Sequence, residues 1–188
     1  MPLSALTRRL LALPAILLPM AAQACPSPEN LAYGNIRQDF TETRSLTGLP
    51  TPLRSSGHLV VTPDRVEWHT VAPFDIDTLI TAAGMTQSVD GGPAQPVASG
   101  NSAIASQMTK IVSSLLRGDW KSLNTMFQVG APQTLANQDW RITMHPLDPR
   151  LAGLLGEITV EGCSTISVFQ LTQRNGDAER ILFTPAAP

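Results

Sequence analysis

A chain of 188 residues with 13 basic and 15 acidic side chains carries a formal charge of −2, with no basic block, which excludes the electrostatic footprint of a nucleic-acid binder. Charged residues make up only 15% of the chain, a share that leaves much weakly polar surface. A protein that handles apolar material needs such a surface, and a small β-rich domain can also have one.

The chain opens with a targeting pattern. Arg8 and Arg9 precede an apolar run from Leu10 to Ala22, interrupted by Pro14 and Pro19, and Ala22-Gln23-Ala24 supplies small residues at a cleavage site. The run falls short of the ~20 apolar residues of a membrane span, and no later stretch qualifies. Residues 1–24 are therefore expected to be a cleaved signal peptide, and 25–188 a single domain exported to the periplasm as a monomer. Cleavage would make Cys25 the first mature residue. Two roles stand open for it: a lipid anchor, for which Ala22 and Gln23 make a poor recognition box, or a disulfide with Cys163, the only other cysteine.

Ser27-Pro28 reads as a helix cap with proline at the first turn, predicting a short helix to about Asn35. Strands are predicted from Ile36 through Phe40 to Leu46 and over Gly57–Thr62, separated by the Gly48–Pro52 loop. After the Pro63-Asp64 turn, Arg65–Val71 alternates, with Val66, Trp68 and Thr70 on one side and Arg65, Glu67 and His69 on the other. Asp77–Ala82 and Met85–Val89 are two further strands, and Asp90–Gly100 is a low-complexity loop. The period then changes. Ile104, Met108, Ile111, Val112, Leu115 and Leu116 form a helical stripe, capped by Asn101 or Ser102 and ended by Gly118. Asp119 caps a second helix carrying Trp120, Leu123, Met126 and Phe127. Strands resume at Trp140–His145, a helical turn falls between Pro146 and Leu155, and Glu157–Cys163 and Thr165–Thr172 follow. Asn175-Gly176 predicts a type I′ hairpin turn into Glu179–Thr184. Eight or more antiparallel strands with one helical insertion make a mainly β fold with helices: a curved sheet or incomplete barrel with a helical lid.

Reactive constellations are missing. His58, His69 and His145 lie on separate strands without metal-ligand spacing, so exposed or rim histidines are expected and no metal or cofactor. Neither a Gly-x-Ser-x-Gly elbow nor a phosphate loop is present, and the Asp75/Asp77 pair reads as solvated. The chain does not read as an enzyme. The helical stripe is either plain core or the cover of an apolar cavity, where the Met108 and Met126 thioethers would give an adaptable lining.

The order Phe40-Thr41-Glu42-Thr43-Arg44, then Pro52-Leu53-Arg54-Ser55-Ser56-Gly57-His58-Leu59, then Pro63, Trp68 and Pro73 resembles the outer-membrane lipoprotein carrier (LolA) family. The helical pair, the Trp140 strand ending near Pro146 and the Asn175-Gly176 hairpin extend the likeness over nearly the whole mature chain, closest to a LolA-related branch. The resemblance implies an incomplete β-barrel covered by helices. It also implies a carrier that takes acylated lipoproteins or another lipid from an inner-membrane donor to an outer-membrane acceptor. Glu42 stands where that family often has Gln. Thr62 stands where it has the arginine that helps hold the lid shut, which puts the same latch in doubt. Cavity-lining residues are expected on the inward strand face and the helices: Leu59, Val61, Val66, Trp68, Ile111, Leu115, Met126 and Phe127. The alternative is an envelope scaffold or interaction module with a filled core, lipid-anchored through Cys25.

Overall fold

The computed structural model describes residues 25–30, 35–97 and 110–186. The expected signal peptide, Asn101, Ser102, Ile104 and Met108 lie outside them. Six strands come first: β1 (Ile36–Ser45), β2 (Leu53–Val61), β3 (Arg65–Ala72), β4 (Ile76–Thr81), β5 (Gly84–Val89) and the two-residue β6 (Gln95–Pro96). Helix α1, described over 110–116, and α2 (Trp120–Met126) follow. The second half holds β7 (Phe127–Val129), β8 (Gln133–Thr134), β9 (Trp140–Pro146), α3 (Pro149–Ala152), β10 (Leu155–Gly162), β11 (Ile166–Gln173) and β12 (Ala178–Pro185).

All twelve strands join one antiparallel sheet in the order β6-β5-β4-β3-β2-β1-β12-β11-β10-β9-β7, with β8 on β9. The first long strand and the last therefore pair in its middle, Phe40 opposite Phe183. Among the described residues the outermost strands β6 and β7 are not paired with each other, and the sheet is curved and unclosed. This is the fold class that strand alternation predicted.

The concave face holds the core. Alternate residues of β2 (Leu59, Val61), β3 (Val66), β4 (Ile80), β9 (Ile142, Met144) and β10 (Ile158, Val160) are buried there with Ile111, Leu115 and Leu116 of α1 and Leu123 of α2. Each large side chain fully removed from water stabilises the fold by about 1.5–3 kcal/mol. Asp119 caps α2 as expected, accepting from the Ser122 N–H at 3.0 Å, and Gly118 takes φ +64° between the helices.

Of the expected first helix a 3₁₀ turn, Pro28–Asn30, is described, and residues 31–34 lie outside the described set. Two local expectations need correction. Phe127 does not extend α2: it is extended (φ −131°, ψ 148°) and pairs with Pro146 as the start of β7. The turn after β11 is wider than a two-residue I′ turn. Only Gly176 has positive φ there, and Asn175 instead accepts the Asp177 N–H at 3.0 Å, an Asx turn.

Cys25 and Cys163 form a disulfide, Cα atoms 4.8 Å apart, which ties the start of the described chain to the β10–β11 loop. The Trp140 indole N–H donates to the Cys163 carbonyl at 2.9 Å, holding that loop against β9.

Candidate functional site: a cleft in the concave face

Near β1–β5 the concave face is not filled to its edge. An open cleft of about 520 Å³ remains, within the ~300–1,000 Å³ typical of small-molecule sites. Its floor is Trp68, which packs on Phe40 (ring centroids 4.6 Å) and edge-on to Phe183 (6.1 Å). One wall is mainly apolar, with Ile76 and Ile80 of β4, Met85 of β5, and Pro73 and Phe74 from the β3–β4 connection; Thr78 and Gln87 lie among them, the Gln87 amide donating to the Thr78 hydroxyl at 3.0 Å. Val112 brings α1 to the same space. At the mouth, Leu53 and Phe74 are 51% and 64% exposed, so the lip itself is apolar.

The opposite wall is charged. Strand alternation that buries Phe40 of β1 turns Glu42 and Arg44 to the same side, and register sets Arg44 opposite Glu179 of β12 and Glu42 opposite Ser55 of β2. An Arg44 guanidinium N–H donates to Glu42 Oε1 at 2.6 Å and to Glu179 Oε2 at 3.4 Å; Ser55 Oγ donates to Glu42 Oε2 at 2.6 Å. Burial, and then the neighbouring Glu42 charge, push the Glu179 carboxyl above its ordinary value, against the opposing pull of Arg44.

Of the eight residues expected to line a cavity, Trp68 lines this cleft. Leu59, Val61, Val66, Ile111, Leu115 and Phe127 are buried in the core, and Met126 packs partly buried against it. Alternation assigns a face but not a depth: Leu59 and Val61 share the inward face of β2 with Leu53 and Ser55, yet lie in the buried core rather than at the mouth. The sequence signal of the charged wall is the i, i+2 spacing of Phe40, Glu42 and Arg44.

Thr62, at the place where the resemblance expects arginine, accepts the Arg65 N–H at 3.2 Å within the β2–β3 turn. The described part of α1 is held by apolar packing of Ile111, Leu115 and Leu116. On the outer face, His58 and His69 stack across β2 and β3 with centroids 6.3 Å apart. His58 bonds Asp39 at 2.7 Å and His69 bonds Asp77, with Asp75 3.8 Å away. These side chains are partly exposed, on the other side of the sheet from the cleft. No helix among the described residues is long and apolar enough to cross a membrane.

The profile of the family described as outer membrane lipoprotein carrier protein LolA-like matches residues 29–188. The chain belongs to this LolA-like family. Among solved structures it is similar to a LolA superfamily protein from Nitrosomonas europaea, at 5% identity and a TM-score of 0.45, covering 86% of this chain and 91% of the other. It is also similar to a candidate outer membrane lipoprotein-sorting protein domain from Vibrio parahaemolyticus, at 10% identity and a TM-score of 0.39, covering 83% and 86%. No curated protein matches the sequence. The LolA-like family match spans both halves of the sheet and every residue of the cleft.

Proposed function

We propose that this chain is a periplasmic carrier whose cleft shelters an acyl chain of a lipoprotein or related lipid from water on its way toward the outer membrane. The observation that carries the reading is the open apolar wall of Ile76, Ile80, Met85 and Phe74 beneath an exposed apolar lip. Each methylene taken from water there contributes about 0.8 kcal/mol, so a chain binds without any reactive group. The family description supports lipoprotein cargo, and the lip of Leu53 and Phe74 is where a chain would pass from an inner-membrane donor and to an outer-membrane acceptor.

Within this reading residues 1–24 direct export and are removed, and the Cys25–Cys163 bond forms in the oxidising compartment. That bond occupies the Cys25 sulfur, which favours a soluble carrier over an anchored one. No cofactor or catalytic step takes part.

Titration of the lipid-stripped mature protein with a fluorescent acylated peptide tests the proposal. Saturable binding, weakened by Ile76→Arg with circular dichroism unchanged, is the expected result. Wild-type protein that takes up no acylated peptide would favour the filled-core envelope module instead, and binding indifferent to Ile76→Arg would place the acyl chain outside this cleft.

A further inference from the structure

The charged wall of the cleft has no use in holding a bare hydrocarbon chain. Four ionisable side chains line the cleft: Glu42, Arg44, Arg54 and Glu179. Arg54 is exposed and sits in register with the outward-facing Thr43, so water meets its charge. The other three point inward, and one guanidinium serves two carboxylates. Glu42 is well satisfied, with Arg44 and Ser55 each at 2.6 Å. Among the described residues Glu179 has one side-chain partner, Arg44 at 3.4 Å, while its side chain is 21% exposed. A shielded carboxylate with one long partner is short of hydrogen-bond donors.

We infer that the cleft takes an amphiphile whose polar head is a primary ammonium, seated against Glu179 beside Arg44, with its chain along the Ile76–Met85 wall. The inference rests on the lipid-carrier reading and adds the chemistry of the head. An ammonium offers three donors and a positive charge, which Glu179 lacks. A carboxylate or phosphate head would face two carboxylates, Glu42 and Glu179, at close range, with one guanidinium between them. A neutral hydroxyl head offers Glu179 one donor and no charge. The Glu42 charge, which with burial raises the Glu179 carboxyl, also attracts a ligand cation to this place.

The test is calorimetric titration of the lipid-stripped mature protein at pH 7 with decylamine, decanoate and decanol, each kept below its aggregation concentration. Decylamine is expected to bind about tenfold or more tightly than the other two, the usual yield of a charge-assisted hydrogen bond. Glu179→Gln is expected to erase that preference while leaving decanol affinity within about twofold, which reports an intact cleft. Asp64→Asn, on the exposed β2–β3 turn, is expected to keep the preference and so separates the cleft from general surface charge. Decanoate binding as tightly as decylamine, or a preference that survives Glu179→Gln, overturns the inference while leaving the carrier reading standing. Failure of all three to bind overturns both.

Discussion

Gly57 lies so close to His69 across β2 and β3 that a Cβ placed on it would sit 1.9 Å from the His69 carbonyl oxygen and 2.8 Å from the Thr70 Cα. These are backbone atoms of a paired strand and cannot swing aside. Gly57 also faces Phe40 in the β1–β2 register, at the point where a shift follows Ser56. The close approach is thus built into the bend that carries the cleft floor. Gly57→Ala is expected to cost at least the upper part of the ~1–3 kcal/mol typical of overpacking, as measured by urea unfolding. A midpoint unchanged from wild type would contradict this account of the bend.

Leu115 and Ile76 should respond differently to the same charge. Leu115 is 4% exposed in the core, so Leu115→Arg buries an unpaired guanidinium and is expected to unfold the protein or cost several kcal/mol. Ile76 is only half-buried in the cleft wall, so Ile76→Arg can turn its charge to water. Folding should survive there while acyl binding falls about tenfold, the loss of roughly two methylene contacts. Thermal melts of the two variants, read beside binding, check the distinction between core and cleft.

The Glu179 carboxyl ties empty-cleft stability to pH. Its folded value is raised, so between the ordinary value of 4.5 and that raised value the folded state holds a proton that the unfolded state has released. Stability contributed by this group is therefore full below 4.5 and declines as pH rises through the folded value. Glu179→Gln should remove the decline: relative to wild type, the variant gains stability on going from pH 4 to pH 7. Parallel wild-type and variant stability curves over that range would contradict the assignment.

The disulfide closes a loop between residues 138 apart in sequence. A chain-entropy model credits such a cross-link with roughly 4–5 kcal/mol. Cys163→Ala should lower the unfolding free energy by up to about that amount and leave the sheet in place, since Cys163 lies in a loop. Denaturant unfolding with and without reductant checks it: reductant should destabilise wild type and leave the variant unaffected.

Much of the fold was legible because its signals are local. The Val66-Trp68-Thr70 alternation, the α1 stripe and the Asp119 cap each need only a few neighbouring residues. Strands β6 and β8 have two residues each, too few for a period, and their pairing is decided by β5 and β9. Phe127 fits a helical stripe by spacing, but its pairing with Pro146, far along the chain, makes it a strand. The cleft was least legible for a related reason. Glu42, Arg44 and Glu179 become one wall only when the first and last long strands pair, a contact over 135 residues between Arg44 and Glu179. No window of sequence contains that pairing.

The central claim is that the cleft holds lipid, and native mass spectrometry of the mature protein purified gently from periplasm tests it most directly. The account predicts a reproducible mass excess that extracts into organic solvent as a lipid and is reduced in Ile76→Arg. A bare polypeptide mass, with no uptake of added lipids or acylated peptides, would contradict it.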